Sequence, residues 1–301
     1  MIQLTEHLSA QNIEALSQLA KRCKKSDGNK IAFYPDLLAN KRPKPSSILL
    51  VSQNKLIGFA SAFFFETDCA EISLFIHPKY RKRQLARTCL RQLLDNIAYY
   101  RPVSALSFSV PHDTWKQALQ QQGFTYQNTE YEMKYAGNQD QLVGLSGLTV
   151  RQATFEDMAV LCELDQRCFP STSPYSELRF NTLLRREQHA IFVLLQAGRI
   201  IGKAHVNWDL KTAFLSDIAI LPDMQNQGFG TKIISYCIDF AHKLPQNNIR
   251  LSVETHNKHA LKLYSHLGFK IINAMDYWQC SFTALRDQLE QFKWFPDNDK
   301  I

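Results

Sequence analysis

The sequence predicts two tandem α/β (α+β) domains, each with a central sheet flanked by helices. At 301 residues, 45% of them hydrophobic, the chain suits two domains of ordinary size better than one. Shifting the sequence by 144 residues aligns its halves, because 55–60 overlays 199–204 and 76–81 overlays 220–225. A repeat of this length is a whole domain, so an internal duplication is the economical explanation.

The boundary between the repeats is predicted near 136–147, where glycines and polar residues interrupt the apolar pattern. We therefore expect one domain over residues 1–137 and a second over 148–301. Strand-like and helix-like segments alternate in each half, which indicates a single sheet covered by helices.

The second half gives the clearer series of elements. A strand over 148–152 precedes a helix that Thr154 begins, with Asp157 as a capping-box variant. The remaining predicted elements are a helix at about 175–186, strands at 191–196, 199–208 and 213–220, a helix over 231–242, a strand at 249–253, a helix after Asn257, closing strands from 269 to about 282, and a helix over 283–292.

The segment Gln225–Gly230 lies between a predicted strand and a predicted helix. A glycine-containing turn of this kind presents backbone N–H groups and the positive end of a helix, which suits a pyrophosphate. Gly228 and Gly230 lack the Cβ that would hold a ligand away from the backbone. Strand–helix junctions also carry glycines purely for packing, and this segment alone leaves that alternative open.

A second segment, 257–269, begins 27 residues after Gly230. Asn257 is a good N-cap, Ala260 and Tyr264 recur at helical spacing, and Gly268 is a natural C-terminal stop. Each residue has a structural explanation by itself, but the order and distance of the two segments do not. Together they resemble the GNAT N-acetyltransferase superfamily, whose motifs Gln/Arg-x-x-Gly-x-Gly/Ala and Asn-x-x-Ala-x-x-x-Tyr-x-x-x-Gly-Phe are both matched in full.

The resemblance implies two GNAT-like domains, each with a mixed, largely antiparallel sheet. It also implies acetyl-CoA as co-substrate and transfer of the acetyl group to a primary amine by direct attack in a ternary complex. The residues expected to hold the pyrophosphate are Gln225, Asn226, Gln227, Gly228, Phe229, Gly230 and Thr231. The main chain of Ile218, Ala219 and Ile220 is expected to meet the pantetheine and the thioester oxygen, and Asn257 the cofactor arm.

Tyr264 is the candidate acid, because a phenol titrating near about 10 stays protonated at neutral pH and can donate to a departing thiolate. The alternative is a tyrosine that only packs its helix. Asp217 and Glu254 are candidate bases, each with the alternative of an exposed strand-end carboxylate, and a water chain is equally open. Strand alternation allows Ser216 rather than Asp217 to face the acceptor.

The first half departs from both motifs. Gln84 stands where Gly228 is expected, and we predict that it crowds the pyrophosphate and does not tolerate the backbone angles of the turn. His112, Trp115 and Leu119 replace Asn257, Ala260 and Tyr264. This half is therefore predicted to be a degenerate copy that packs beside the second domain or shapes the acceptor entrance.

Other features mainly exclude functions. Seven scattered cysteines without a CxxC pair argue against disulfides and zinc, and Cys89 and Cys237 are expected in the core. No apolar run reaches the roughly 18 residues of a membrane span, and the N-terminus is unlike a signal peptide, so we expect a cytoplasmic protein. No metal is expected, since His256, His259 and His266 lack a completing acid cluster.

Several alternatives stay open at this point. The enzyme could use another acyl donor, or the protein could be a non-catalytic acyl-CoA sensor or interaction protein. The first half is basic, with 18 Lys/Arg against 12 Asp/Glu over 1–140, and could attract nucleic acid. We expect these basic residues to form solvated faces instead. The acceptor amine and the oligomeric state are not predicted. Aromatic candidates for the acceptor pocket, with core packing as the alternative, are Phe169, Tyr175, Trp208, Tyr277 and Trp278.

Overall fold

A computed structural model of the protein describes residues 1–28, 31–81, 84–137, 147–169, 176–246 and 248–291. The chain forms two compact units, the first from 1–130 together with 273–301, and the second from 131–272. These units differ from the predicted continuous domains, because the C-terminal segment belongs to the first unit and residues 131–137 belong to the second.

The first unit follows a strand and helix order that the second unit repeats. Its elements are β1 (Ile2–Thr5), α1 (Ala10–Asp27), α2 (Pro35–Ala39), β2 (Ser47–Ser52), β3 (Lys55–Phe63), β4 (Cys69–Ile76), α3 (Leu85–Tyr100), β5 (Ala105–Pro111) and α4 (Lys116–Gln121). Strand β6 (Thr125–Tyr135) begins in this unit, and its last five residues belong to the second.

The second unit contains β7 (Leu148–Gln152), α5 (Met158–Cys168), α6 (Ser176–Leu184), β8 (His189–Gln196), β9 (Arg199–Trp208), β10 (Ala213–Ile220), α7 (Phe229–His242), β11 (Ile249–Glu254) and α8 (Lys258–His266). Strand β12 (Phe269–Ser281) starts here and enters the first unit at Asn273, followed by α9 (Phe282–Gln291). The predicted elements are all found, except that the closing strands are one long strand and Tyr175 lies outside the described residues.

The two sheets have the same layout. In the first unit the order is β1-β2-β3-β4-β5-β12, with β4 and β5 parallel and the other pairs antiparallel. In the second unit the order is β7-β8-β9-β10-β11-β6, again with one parallel pair, β10 and β11, beside antiparallel β7 to β10. Each sheet is therefore mixed and largely antiparallel, as predicted.

Alternating side chains bury helices on both faces of each sheet. In the second unit Phe192, Ala204 and Leu215 pack under α7, whereas Ile191 and Val193 face α5 and α6. In the first unit α3 covers one face and α1 the other. Cys89 and Cys237 are fully buried in the α3 and α7 cores, as expected. The Thr154–Asp157 capping box is confirmed at the start of α5.

The C-terminal segment belongs to the first unit because its apolar side chains are buried there. Its contribution to the core under α3 consists of Trp278, Cys280, Phe282, Leu285 and Leu289. Strand β12 pairs with β5 from Met275↔Pro111 to Ser281↔Ala105. The sequence repeat could not reveal this, since a strand pattern does not say which sheet the strand joins.

A shared hydrogen-bond pattern marks the repeat in three dimensions. In the first unit the Ile76 carbonyl accepts from Cys23 Sγ at 3.5 Å and from Arg81 Nε at 3.1 Å. In the second unit the Ile220 carbonyl accepts from Cys168 Sγ at 3.4 Å and from Gln225 Nε2 at 3.0 Å. A cysteine thiol and a long polar side chain therefore donate to the last carbonyl of the equivalent strand in both copies.

No helix within the described residues combines the length and apolar composition needed to cross a membrane.

Candidate active site

Strand β10 is interrupted where the thioester was expected. Its pairing with β9 shifts between Ser216↔His205 and Ala219↔Lys203, so Asp217 and Ile218 together oppose the single residue Ala204. Asp217 takes the left-handed conformation with φ 49°. A bulge of this type leaves an extra residue out of the ladder and redirects neighbouring groups.

Strands β10 and β11 also separate at this point. Their parallel pairing covers Ala213–Leu215 against Ile249–Leu251, and both strands continue beyond it, to Ile220 and Glu254. Main-chain groups after Leu215 therefore lie at an opening between two strands. Ile218, Ala219 and Ile220 border this opening, where they were predicted to meet the thioester.

The turn before α7 has the backbone that the glycine motif predicts. Gly228 is the N-cap residue of α7 with φ 83° and ψ 0°, and no side chain caps the helix. A Cβ added at Gly228 would meet nothing within 4 Å, so the space beside it is open. The first N–H groups of α7 lack intrahelical partners, as at any helix start, and carry its partial positive charge.

The other residues of the turn have distinct roles. Gln225, Asn226 and Gln227 are exposed, and Asn226 is also left-handed with φ 62°. Phe229 is buried in the core, and Thr231 in the first turn of α7 is half-buried. A Cβ at Gly230 would lie 3.2 Å from Leu263 Cδ2, so this glycine also lets α8 approach α7.

Helix α8 positions the predicted acid. The Asn257 side chain accepts from Ala260 N at 3.0 Å, which confirms the predicted cap. Tyr264 is buried and packs edge-on against Phe269 at 6.1 Å between ring centroids. Among the described residues its hydroxyl has no hydrogen-bond partner, and burial raises the pKa of Tyr264 to about 12. The phenol is therefore protonated at neutral pH.

Glu254 and Ser216 lie on the two separated strands. Glu254 is exposed at the end of β11, and its Oε2 lies 2.9 Å from His256 Nε2. Ser216 is half-buried opposite His205 on β9. The structure thus brings the predicted serine and acid to the opening, on different strands.

Asp217 belongs to a cluster of charged side chains that the sequence alone does not predict. We call it the charge ring: Asp165, Lys203, His205, Asp217 and Arg179. Lys203 Nζ lies 2.7 Å from Asp165 Oδ1 and 3.1 Å from His205 Nε2. His205 Nδ1 lies 3.8 Å from Asp217 Oδ2, Arg179 Nη2 donates to Asp217 Oδ1, and Arg179 Nη1 donates to Asp165 Oδ2 at 3.2 Å.

The ring is buried except at Arg179 and Asp217. The side chains of Lys203, His205 and Asp165 are at most 1% exposed, whereas those of Asp217 and Arg179 are 24% and 40% exposed. Lys203 Nζ also lies 5.2 Å from the ring centroid of Phe180 and 5.6 Å from that of Phe169. The aromatic faces therefore stabilise a cation that water does not reach.

Burial and charge set the protonation of the ring. Burial lowers the pKa of Lys203 and of His205, while Asp165 and Asp217 oppose the shift at Lys203. Burial alone would raise the pKa of Asp217, but the positive charges of Lys203 and Arg179 and the hydrogen bond from Arg179 outweigh burial and hold that pKa well below its usual value. With His205 neutral, the ring carries two positive and two negative charges. A general base works best with a pKa near the working pH, so Asp217 suits binding better than proton abstraction.

The sequence carried one signal of this ring. Lys203 and His205 occupy alternate positions of β9, so they share the face that α5 and α6 cover. Two basic side chains on a buried face need partners, but nothing in the sequence identifies them. Asp165, Arg179 and Asp217 come from three other elements, and only the tertiary structure brings them together.

The first unit differs from the second at the same places. Strand β4 pairs with β3 continuously from Gly58↔Ile76 to Phe63↔Glu71, without the extra residue found in β10. Gln84 precedes α3 with φ 55° and ψ 17°. The prediction that Gln84 does not tolerate the left-handed backbone is therefore wrong, because Gln84 adopts that backbone at the start of α3 at the cost of local strain alone.

His112, which replaces Asn257, contacts two acids instead. Its Nδ1 lies 2.7 Å from Asp276 Oδ1 and its Nε2 lies 3.2 Å from Asp113 Oδ2. Within the described chain these three residues form a group with metal-ligand atoms within 4.8 Å of one another. Both imidazole nitrogens of His112 already have carboxylate partners. This geometry does not test metal binding, and the expectation of no metal stays a prediction.

The aromatic candidates for the acceptor pocket have different locations. Tyr277 and Trp278 belong to the first unit, where Trp278 is in the core, so they do not line a pocket built by the second unit alone. Trp208 packs against Phe240 at 5.7 Å between centroids. Phe169 lies beside Lys203, and Tyr175 lies outside the described residues.

Comparison with known proteins agrees with this geometry. The model of the acetyltransferase (GNAT) family matches residues 13–101 and 158–269, which is well over half of the chain and includes both units. The protein belongs to the GNAT acetyltransferase family. The match over the first half supports the duplication, although that half lacks both motifs.

Individual relatives match part of this GNAT protein. An uncharacterised N-acetyltransferase of Methanocaldococcus jannaschii is 26% identical over 144 residues, which cover 43% of this chain and 64% of that relative. The ribosomal protein bS18-alanine N-acetyltransferase of Escherichia coli is 31% identical over 121 residues, 40% of this chain and 80% of that relative. The chain thus spans just under two thirds of the first relative's length.

A solved structure matches the whole fold. A tandem GNAT protein from the clavulanic acid biosynthesis pathway aligns with a TM-score of 0.71 at 12% identity, over 94% of this chain and 99% of that one. At this identity the similarity concerns the fold alone. Two GNAT regions in one chain are therefore a known architecture.

Proposed function

We propose that this protein is an acetyl-CoA-dependent N-acetyltransferase whose second unit transfers an acetyl group to a primary amine in a ternary complex. The observation that carries the proposal is the combination of the bulge at Asp217–Ile218 with the uncapped, left-handed Gly228 turn of the same unit. The first suits a thioester between separated strands, and the second suits a pyrophosphate at a helix start.

The coenzyme is held mainly by the main chain in this proposal. N–H groups of 227–231 bind the diphosphate, and Gly228 leaves room for its oxygens. The N–H groups of Ile218 to Ile220 face the pantetheine and the thioester oxygen. A preorganised donor at a developing oxyanion contributes roughly 3–4 kcal/mol to transition-state stabilisation.

Transfer requires one bond to form and one to break. The nitrogen lone pair of the neutral amine attacks the thioester carbon, the carbon–nitrogen bond forms, and the oxyanion collapses with cleavage of the carbon–sulfur bond. Tyr264 gives its proton to the departing thiolate, and solvent restores it. The amine proton leaves to Glu254 or to water beside it, because Asp217 is held as an ion pair.

The first unit is proposed to be silent toward acetyl-CoA. Its Gln84 shares the left-handed backbone of Gly228 but adds a side chain at that position, and its β4 lacks the bulge. We further propose a cytoplasmic location, since all seven cysteines are free thiols.

The names of the relatives support an amine acceptor. They describe acetylation of an alanine of a ribosomal protein and, for a bovine relative that is 31% identical over 77 residues, of the ε-nitrogen of thialysine. Both reactions acylate nitrogen.

The test is thiol release from acetyl-CoA with small amines, polyamines, amino acids and peptides as acceptors. We expect amine-dependent release, and we expect Gly228→Gln to lower it together with the affinity for the coenzyme. Coenzyme binding without transfer to any acceptor indicates a sensor. Turnover with a longer acyl-CoA but not with acetyl-CoA replaces the proposed donor, and no coenzyme affinity refutes the proposal.

A further inference from the structure

The charge ring is not demanded by the fold of its unit. Burying Lys203 and Asp165 removes two charges from water, which usually stabilises a protein less than apolar packing of the same volume. The first unit provides the comparison within the same chain. Phe59 occupies the β3 position of Lys203 in the aligned repeat, and Phe59 is fully buried beneath α1.

The α1 partner in the first unit is also apolar. Cys23 and Cys168 bind equivalent carbonyls, and three residues before each lie Ala20 and Asp165. Ala20 packs with Phe59 in one hydrophobic cluster. The same architecture therefore folds with Ala20 and Phe59, and the buried ion pair occurs in the unit that keeps the bulge and the glycine turn.

The ring opens to solvent at a pair of opposite charges. Arg179 and Asp217 are its exposed members and contact each other directly. Asp217 immediately precedes Ile218, at the opening between β10 and β11. Arg179 stays anchored by Asp165 Oδ2 at 3.2 Å if Asp217 releases it. A ligand can thus replace the contact between the two while Arg179 keeps its place in the ring.

We propose that this Arg179–Asp217 pair recognises the acceptor, and that the acceptor is a free α-amino acid whose ammonium binds Asp217 and whose carboxylate binds Arg179. The inference rests on the proposed function and names the substrate class of that site. Once the ammonium has given a proton to Glu254 or to water beside it, the amine held at Asp217 lies one residue from the main chain of Ile218, where the thioester is expected.

Charge balance favours a zwitterion over a simple amine or a carboxylic acid. The ring is neutral with two cations and two anions. A lone ammonium that pairs with Asp217 leaves Arg179 with an excess positive charge, and a lone carboxylate has the opposite effect. An α-amino acid supplies both charges on neighbouring atoms, so each ring residue exchanges one partner for another.

The experiment compares acceptors that differ by one carboxylate. Acetyl transfer is measured for phenylalanine, phenethylamine and phenylalaninamide, for alanine and ethylamine, and for lysine and cadaverine, with acetyl-CoA as donor. We expect kcat/KM for the preferred amino acid to exceed that of its carboxylate-free partner at least tenfold. Equal values for the pair, or transfer only to the amines or amides, or to no member of the panel, overturns the inference.

Two variants assign the discrimination to the ring. Arg179→Gln should bring the ratio of amino acid to amine toward one, and Asp217→Asn should lower kcat/KM for both. Arg185→Gln is the matched control, because Arg185 is exposed just after the end of α6 and contacts only Asn181 and the face of Phe155 in the described structure. A ratio unchanged in Arg179→Gln contradicts the proposal. Acetyl-CoA binding, measured separately, reports failure of the proposed function itself.

Discussion

At the scale of single residues, one backbone conformation serves different ends in the two units. Gly228 and Gln84 both precede a helix with positive φ, at 83° and 55°. For a residue with a Cβ this conformation costs about 1 kcal/mol, which a folded domain can sustain. The glycine therefore matters for the space beside the turn, which is open at Gly228, more than for the turn itself.

Exchanging these residues tests that view. Gly228→Gln should fold, with a stability loss of about 1 kcal/mol, and should weaken acetyl-CoA binding at least tenfold because a side chain fills the diphosphate space. Isothermal titration gives the affinity and circular dichroism checks the fold. Gly198→Gln is the matched control, since Gly198 has φ 80° and open space but lies in the β8–β9 turn. Equal effects of both substitutions would indicate strain alone.

Tyr264 offers a second test at this scale. Tyr264→Phe keeps the packing against Phe269 but removes the proton donor, so kcat should fall roughly a hundredfold while KM for acetyl-CoA changes little. Tyr236→Phe is the control, because Tyr236 of α7 packs against Phe192 of β8, away from the opening between β10 and β11. Steady-state kinetics of the two variants would exclude the acid role if turnover by Tyr264→Phe matched that of the control.

At the scale of elements, the extra residue in β10 distinguishes the copy proposed to be active from the copy proposed to be silent. In β4, Leu74 alone lies between Ser73 and Phe75, which pair with Ser61 and Phe59 of β3. In β10, two residues lie between Ser216 and Ala219. The bulge carries Asp217 into the charge ring, and it frees main chain at the opening beside β11.

The buried pair of the ring gives a prediction for stability. Lys203→Phe alone should destabilise the second unit by about 3–5 kcal/mol, because Asp165 is left buried without its closest cation. The double variant Asp165→Ala/Lys203→Phe reproduces Ala20 and Phe59 of the first unit and should cost at least about 2 kcal/mol less. A double-mutant cycle by urea unfolding measures the coupling. Additive costs would show that the two charges do not depend on each other.

At the scale of the whole molecule, the chain completes its first unit last. Residues 273–301 belong to the unit that starts at Met1, and β12 contributes Trp278 to the core under α3. The first unit therefore contains long-range contacts that form only after the second unit has been synthesised, whereas the second unit is continuous from 131 to 272.

Truncation after Ile272 tests this assignment. The shortened chain should lose protection from hydrogen exchange in α3, because the burial of Trp278, Leu285 and Leu289 is removed, and should retain protection in α7. Exchange measured by mass spectrometry distinguishes the two helices. Loss of protection in α7 with α3 intact would instead favour the continuous domains predicted from the repeat.

Local pattern was enough for most elements and for the family. The glycine turn, the Asn257 cap and the position of Tyr264 follow from short segments whose backbone preferences act within a few residues. The 144-residue repeat likewise needs only the order of apolar residues along the chain. The residues that determine each of these features therefore lie in the same short segment as the feature itself, or follow directly from the order of residues along the chain.

Tertiary structure alone decided which sheet β12 joins, that β10 is bulged, and that five charged or titratable side chains from α5, α6, β9 and β10 form one ring. Each depends on residues far apart in sequence, and its free energy comes from burial and charge pairing that exist only once the elements pack. A periodic pattern gives the face of a strand but not its partner across that face.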